Sequence, residues 1–430
     1  MRVLAISDLY PPDIRGGAEV VTAEAVDGLR ERGHEVVVAT GASGPTRAHV
    51  RPCLEYRPSP RWQGGRAWLA PWRAAASYRR AFHNLHNEAA LRSLLAELAP
   101  DVIYLGDIGG VGPCSILRAL RDQPSPLVVH LHDYWLLTLL HGGSEFSGLR
   151  LPWLKRLLTG LDRRHDLCVT SMIAVSRAVL DRYIQAGFAP DAIEVFPCGL
   201  RLSAVQRPEG PPADGELRLL FVGRLDPEKG AHLLLERLAV LAAQPDTRRI
   251  RCDLAGPPGP EAYMRHLRQL MAADALQGGV RLLGSIQRET ILRLYTRYDA
   301  VVVPSLWQEP FSLVVPEALA AGTAVVASRD VGAVEWFEDG RDLLLFSSQT
   351  PSELDQALRR LRDEPGLAAR LAAAGSRKAS QVFSRESFLD RLESHLTATL
   401  ERPKLSALLE GARQVRRVAS SCVESGRRAA

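Results

Sequence analysis

Three groups of residues in this chain have the types and spacing that chemistry needs. Glu309 and Glu317 lie with seven residues between them in DAVVVPSLWQEPFSLVVPEALAAGTAVVASRDVG, which occupies residues 299–332. Arg224 and Lys229, five apart, stand in GRLDPEKG, and His132 opens HDYW. Carboxylates accept hydrogen bonds through both oxygens, and fixed cations stabilise negative charge that develops beside them. Each group also has an ordinary reading. An acid in a first helical turn complements the helix dipole, an isolated Arg or Lys on a loop faces solvent, and a lone histidine at a strand end is more often structural than catalytic.

The surrounding elements weigh these readings. Residues 299–303 form a short β-branched run closed by Pro304, which predicts a buried strand. A polar loop with Trp307, Gln308 and Glu309 follows. Pro316 and Glu317 then fall in the first turn of a helix that Gly322 ends, and residues 323–327 predict the next strand. In such a strand-loop-helix-strand unit ligands collect at the carboxyl ends of the strands. The free N–H groups at the helix start favour a negatively charged group such as phosphate. Residues 217–222 predict a strand that runs into Gly223 and the turn holding Arg224 and Lys229. Residues 127–131 predict the strand before His132, with His130 expected on the opposite side of its pleat. Near the start, residues 2–7 predict a first strand, and Gly16-Gly17-Ala18-Glu19 opens a helix to about Arg32. Glycines at such a turn let backbone approach a ligand closely, although a helix start that needs flexible residues reads the same way.

The stretch EPFS at 309–312 followed by EALAAG at 317–322 resembles the E-x7-E signature of retaining glycosyltransferases of family 4, which have the two-domain GT-B fold. GGAE, HDYW and GRLDPEKG are similar to further motifs of that family, and the resemblance covers about the first 400 residues. It implies transfer of a sugar from a UDP- or GDP-linked donor to a hydroxyl with retained anomeric configuration. In that reading Glu309 lies by the transferred sugar, His132 reaches it, and Glu317 takes the ribose hydroxyls. Arg224 and Lys229 hold the diphosphate in place of a metal ion, and no D-x-D metal motif appears. Gly16 and Gly17 meet the donor phosphate region, and the backbone at Ser285 and Ile286 meets the base. Phe311, Ser312 and Leu313 complete the donor loop. The route implied is departure of the diphosphate with attack from the same face, the leaving phosphate taking the acceptor's proton. The acceptor would be a glycan or lipid-linked glycan, in polysaccharide, lipopolysaccharide or glycolipid synthesis. Relatives usually have glycine where Ser312 stands, often proline where Ala324 stands and glycine where Asp342 stands. Ser312 keeps the backbone donor and restricts the local dihedrals. The alternatives are a nucleotide-sugar epimerase or sugar-phosphate phosphorylase on the same fold, or a catalytically silent partner subunit.

Length and composition set the frame. At 430 residues, with 46% hydrophobic and 24% charged content, the chain reads as an ordinary soluble globular protein of two or three domains, which the resemblance implies are α/β. The expected division is 1–200 for an acceptor-side Rossmann-like domain, 201–216 for a linker, 217–380 for a nucleotide-sugar-binding domain, 381–401 for a helix crossing back to the first domain, and 402–430 for a basic tail. Both domains are expected to be doubly wound and to face each other across a cleft. No run of apolar residues reaches the ~20 that span a bilayer, and the first residues turn polar too soon for a signal peptide. The six cysteines show no C-x-x-C spacing, so the reducing cytosol is the expected compartment. The net charge is +5, and the tail from Arg402 carries seven Lys/Arg against two acids. The body is therefore near neutral, which argues against nucleic acid as a partner.

One segment could serve a membrane. Residues 57–87 carry Arg57, Arg61, Arg66, Arg73, Arg79 and Arg80 with no acid, interleaved with Trp62, Trp68, Trp72, Tyr78 and Phe82. Arginine with tryptophan suits an anionic interface at the inner membrane face. A solvated face with its aromatics packed inward, or a lining of the acceptor cleft, accounts for the segment as well. The amphipathic pattern of Leu154, Leu157, Leu158 and Leu161 is read first as core packing and only second as membrane contact. Each basic residue near an anionic surface contributes about 1 kcal/mol. Replacing Arg61, Arg66 and Arg73 together should therefore lower co-sedimentation with anionic vesicles at low salt more than deleting the tail after Arg402 does. Binding that vanishes only with the tail assigns the segment to packing or cleft lining.

Overall fold

The computed structural model describes residues 1–41, 47–57, 80, 82–141, 168–201, 216–243 and 250–402. Most of the Arg/Trp segment, the amphipathic stretch around Leu154, most of the expected linker and the basic tail lie outside the described residues. Two compact units emerge. Met1–Val175, Val179–Phe196 and the chain from Leu389 on make one, and Ser176–Ala178 with Pro197–Phe388 make the other.

The first unit is built on seven parallel strands: β1 (Arg2–Ser7), β2 (Glu35–Thr40), β3 (Val50–Arg51), β4 (Val102–Leu105), β5 (Leu127–Leu131), β6 (Ser171–Ala174) and β7 (Ile193–Val195). Their order is β3-β2-β1-β4-β5-β6-β7. The strands are nearly continuous apolar runs, as sheets covered on both faces require. The helix Gly17–Glu31 follows β1, and Gly33 ends it. The helix Arg385–Thr399 contributes its residues from Leu389 onward to this unit. There Arg32 meets Asp390 at 2.7 Å and Glu393 at 2.9 Å. His395 bridges Glu194 (2.7 Å) and Ser171 (3.0 Å).

The second unit holds β8 (Leu217–Val222), β9 (Ile250–Ala255), β10 (Val280–Gly284), β11 (Ala300–Val303), β12 (Ala324–Ser328) and β13 (Leu344–Phe346), again all parallel. Their order is β10-β9-β8-β11-β12-β13. Successive strands are laid down to one side of β8 and then to the other, so the order reverses between β8 and β11. Loops leaving those two strands diverge to opposite faces and open a crevice, the usual ligand position in such sheets. The core beneath is aliphatic, with Leu219, Phe221, Leu234, Leu254, Val302 and Val326 buried among helices 231–242, 261–271 and 351–363. Among the described residues no helix is long and apolar enough to cross a membrane.

The two loops of the crevice are drawn against each other. Gly230 has φ +72° and sits so close to the end of β11 that a Cβ there would lie 1.9 Å from the Pro304 carbonyl oxygen. Gly322, after the helix Val314–Ala320, has φ +73° with nothing near its Cβ direction. Gly322→Ala should therefore cost only its left-handed backbone, about 1 kcal/mol. Gly230→Ala adds a backbone clash and should cost about 3 kcal/mol or more. Thermal melts of the two variants check this, and equal losses would mean the Gly230 approach is loose.

Candidate active site

The crevice between β8 and β11 brings together Lys229 and Glu309, two of the residues that sequence spacing singled out in this half. The turn after β8 is a short 310 helix, Pro227–Lys229, and Leu306 N–H donates to the Glu228 carbonyl at 2.8 Å. That backbone link sets Lys229 opposite the loop after β11. Lys229 Nζ lies 2.6 Å from Glu309 Oε1 and 5.9 Å from the Trp307 ring centroid. The Ser305 hydroxyl donates to the other oxygen, Glu309 Oε2. Glu309 is itself pinned through its backbone, its N–H to the Asp330 carbonyl and its carbonyl to Gly332 N–H, both at 2.8 Å.

Burial would raise the Glu309 carboxyl, but the Lys229 charge, with hydrogen bonds from Lys229, Ser305 and Ser312, outweighs it and holds the group below the usual range. Glu309 is thus an ionised carboxylate at 6% exposure, not a solvated loop acid. Arg224 meets Asp226 at 2.6 Å and Glu228 at 3.1 Å. Both cations expected to hold a diphosphate are therefore already paired with carboxylates. Each retains further N–H donors, since an ammonium has three and a guanidinium five.

Glu317, in the first turn of the helix Val314–Ala320, is equally buried but differently held. Arg288 donates to Oε1, and the Tyr295 hydroxyl donates to Oε2 at 3.2 Å. Here burial outweighs the Arg288 charge, and the carboxyl sits above its ordinary value. Ser285 and Ile286 follow β10 directly, Ser285 exposed and Ile286 half-buried. Ser312 has φ +79°, the left-handed region where glycine costs nothing and serine is strained. This accounts for the glycine that relatives usually carry. Leu313 caps the helix, and its carbonyl accepts from Glu317 N–H at 3.1 Å. The Phe311 ring is buried edge-on against Trp336 (5.9 Å) and Phe383 (5.7 Å), which anchors the loop. Arg281, whose partner sequence left open, is bidentate to Asp253 at 2.8 and 2.6 Å.

The remaining sites belong to the first unit. Gly16 precedes the helix Gly17–Glu31, and its N–H is taken by Glu19 Oε2 at 2.9 Å. His132 follows β5, and burial pushes it down to about 3, so it is neutral near pH 7. Its Nε2 is buried and has no hydrogen-bond partner among the described residues. The expectation for His130 is wrong. Leu131 separates the two histidines, so the pleat turns both the same way, and their rings lie 4.0 Å apart. His130 instead meets the Tyr104 hydroxyl through Nδ1.

Sequence reasoning missed Asp8 and Asp107, at the ends of β1 and β4. Asp8 accepts from Gly110 N–H and Asp107 from Gly109 N–H. Burial pushes both carboxyls up, and for Asp8 its neighbour Asp107 adds to the effect. It also missed a cavity of 850 Å3 lined by Leu9, Ile14, Arg15, Tyr56 and Arg57 among others. Arg15 lies over the Tyr56 ring at 4.8 Å. Neither feature has a motif, because their residues come from separate loops.

The Lys229–Glu309 pair has a measurable signature. Glu309 contributes stability that is present above the ordinary glutamate value of about 4.3 and is lost as pH falls through its lower folded value. Lys229→Met leaves a buried carboxylate uncompensated and should cost about 3 kcal/mol at pH 7. The deficit should shrink toward pH 4, where the stranded carboxyl takes up a proton. A loss independent of pH in thermal melts would show packing, not charge, to be the cause.

Comparison with known proteins agrees with this construction. Residues 15–204 match the family described as Glycosyltransferase Family 4, and residues 204–378 match Glycosyl transferases group 1. The chain is similar to the glycogen synthase of Mycobacterium tuberculosis strain H37Rv, at 27% identity over 89% of this chain and 91% of that one. It is also similar to the phosphatidyl-myo-inositol mannosyltransferase of Mycolicibacterium smegmatis, at 29% identity over 74% of each. In fold it resembles Anabaena Alr3699/HepE, solved with UDP and glucose, with a TM-score of 0.67 at 22% identity over 93% of this chain and 100% of that one. With two parallel-sheet units and both matches laid end to end, the chain belongs to the glycosyltransferases of GT-B type.

Proposed function

We propose that this protein is a retaining hexosyltransferase of family 4, moving a sugar from a UDP- or GDP-linked donor to a hydroxyl of a glycan or lipid-linked glycan. The observation that carries the reading is the Lys229–Glu309 contact of 2.6 Å at the crevice between β8 and β11. A cation there faces the leaving diphosphate, and an ionised carboxylate beside it faces the sugar. Glu317 accepts from the ribose hydroxyls, backbone at Ser285 and Ile286 meets the base, and Arg224 shares the diphosphate with Lys229. The cavity at Arg15 and Tyr56 suits the acceptor, since its volume falls within the usual range for a small-molecule site.

In the reaction the bond from the anomeric carbon to the diphosphate breaks, and the acceptor oxygen bonds to that carbon on the same face. The acceptor's proton passes to the departing phosphate oxygen. Lys229 and Arg224 stabilise charge that grows on the leaving group, so no metal is required. Work in polysaccharide, lipopolysaccharide or glycolipid synthesis, in the cytoplasm or at the inner membrane face, fits such an acceptor.

The test is incubation with UDP- and GDP-hexoses and candidate acceptors, with the anomeric configuration of the product read by proton NMR. Retention is expected, and activity should persist in excess chelator. Lys229→Ala and Arg224→Ala should each lose about 2–4 kcal/mol of transition-state stabilisation in kcat/KM. An inverted product, rescue by Mg2+ or Mn2+ after chelation, or near-wild-type turnover in both variants would overturn the corresponding part.

A further inference from the structure

The second carboxylate is held by two donors that no motif names. Arg288 begins the helix Arg288–Leu294, and Tyr295 follows that helix in the 310 turn Tyr295–Arg297. Seven residues are two helical turns, so both side chains leave the same side of one element, and both end on Glu317. Tyr295 is fully buried, and Thr323 fixes its backbone by donating to the Tyr295 carbonyl at 2.8 Å. Burial, followed by the adjacent Glu317 charge, keeps the phenol well above its ordinary value, so it remains a hydroxyl donor.

The arithmetic of the carboxylate is informative. Its two oxygens offer about four lone-pair positions. Arg288 takes one on Oε1 and Tyr295 takes one on Oε2. One position is left on each oxygen, side by side, which is the acceptor pattern that a vicinal diol needs. The donors also determine whether the pattern exists. A neutral carboxyl would present a hydroxyl in place of one acceptor, and burial pushes Glu317 in that direction against the guanidinium. Arg288 and Tyr295 are the titratable groups that act on Glu317 among the described residues.

We infer that Arg288 and Tyr295 are positioning residues that hold Glu317 as an oriented, diol-accepting carboxylate and thereby set the preference for ribonucleotides over nucleotides lacking ribose hydroxyls. The inference rests on the reading of Glu317 as the ribose-binding residue. It adds the cause of that residue's selectivity, which lies on a separate element, 29 and 22 residues before Glu317 in the chain.

Calorimetric titration of the full chain with UDP and GDP, and with their 2′,3′-dideoxy counterparts, tests it. Wild type should bind the better ribonucleotide at least tenfold more tightly than its dideoxy form. Arg288→Gln and Tyr295→Phe should each reduce that ratio fivefold or more while leaving dideoxy affinity unchanged. Arg288→Lys, which keeps the charge, should retain most of the ratio. In Arg288→Gln the ratio of ribonucleotide to dideoxy affinity should also fall further on acidification than it does in wild type, as Glu317 takes up a proton. The dideoxy form carries the same phosphates and so cancels the ligand's own titration. Thermal melts establish that each variant is folded, and Tyr295→Phe keeps the ring that fills the core. A wild type that discriminates, with folded variants that keep the full ratio, overturns this inference and leaves the donor site standing. Equal loss for both nucleotides also overturns it, because the residues would then contact something other than the diol's acceptor. A wild type that binds both forms equally removes the ribose role of Glu317 itself.

Discussion

A buried ion pair between residues 80 positions apart constrains the second unit more than any other contact. Lys229 and Glu309 belong to loops that leave β8 and β11, the two strands between which the order of the sheet reverses. An uncompensated carboxylate at 6% exposure would be costly to bury. The pair therefore ties loop conformation to charge balance. Gly230 against the Pro304 carbonyl, Leu306 bonded to the Glu228 carbonyl, and Ser305 on the far oxygen of Glu309 all bring the cation to its partner. What results is a crevice in which positive and negative charge are fixed in advance. Such a site needs little reorganisation when charge moves during reaction.

The two glutamates show how one stretch of chain supplies two different acids. Both are buried to the same degree and both meet a cation. Glu309 adds two hydroxyls to its ammonium and stays below the ordinary range, while Glu317 has a guanidinium and one phenol and lies above it. The difference comes from the number and kind of donors at each carboxyl, which the identical residue type conceals. Ser312 illustrates the same economy. It occupies a left-handed backbone position that would suit glycine, and it sets a side-chain hydroxyl within reach of Glu309.

In the first unit the ends of β1, β4 and β5 carry Asp8, Asp107 and His132. The carboxyls are pushed up and the imidazole down, because the strand ends are enclosed and each group loses water. Near neutral pH His132 is thus without charge. The His130 ring, tilted by 37° at 4.0 Å and itself held by Tyr104, packs against it from one side.

Much of this was legible from the sequence because it is local. Apolar runs ending at Pro304 or Gly223, glycine after a helix at Gly322, and Pro316 with Glu317 in a first turn each reflect backbone preferences that act over a few residues. The doubly wound architecture and the glycosyltransferase assignment followed from the family resemblance that GGAE, HDYW, GRLDPEKG and the E-x7-E stretch carry. Partnership was not legible. Nothing in the spacing tells that Lys229 finds Glu309, that Arg224 is already matched by Asp226 and Glu228, or that Arg281 grips Asp253. The same holds for the donors to Glu317 and for the cavity at Arg15 and Tyr56, which are assembled from separate loops. The His130 expectation failed on a local rule, because two strand positions with one residue between them share a face. Sequence determined which residues stand at the strand ends, because chain punctuation is a short-range effect. The tertiary structure decided which of them meet, and so which are charged, since ionisation depends on burial and on neighbours that only the folded sheet brings within hydrogen-bond reach.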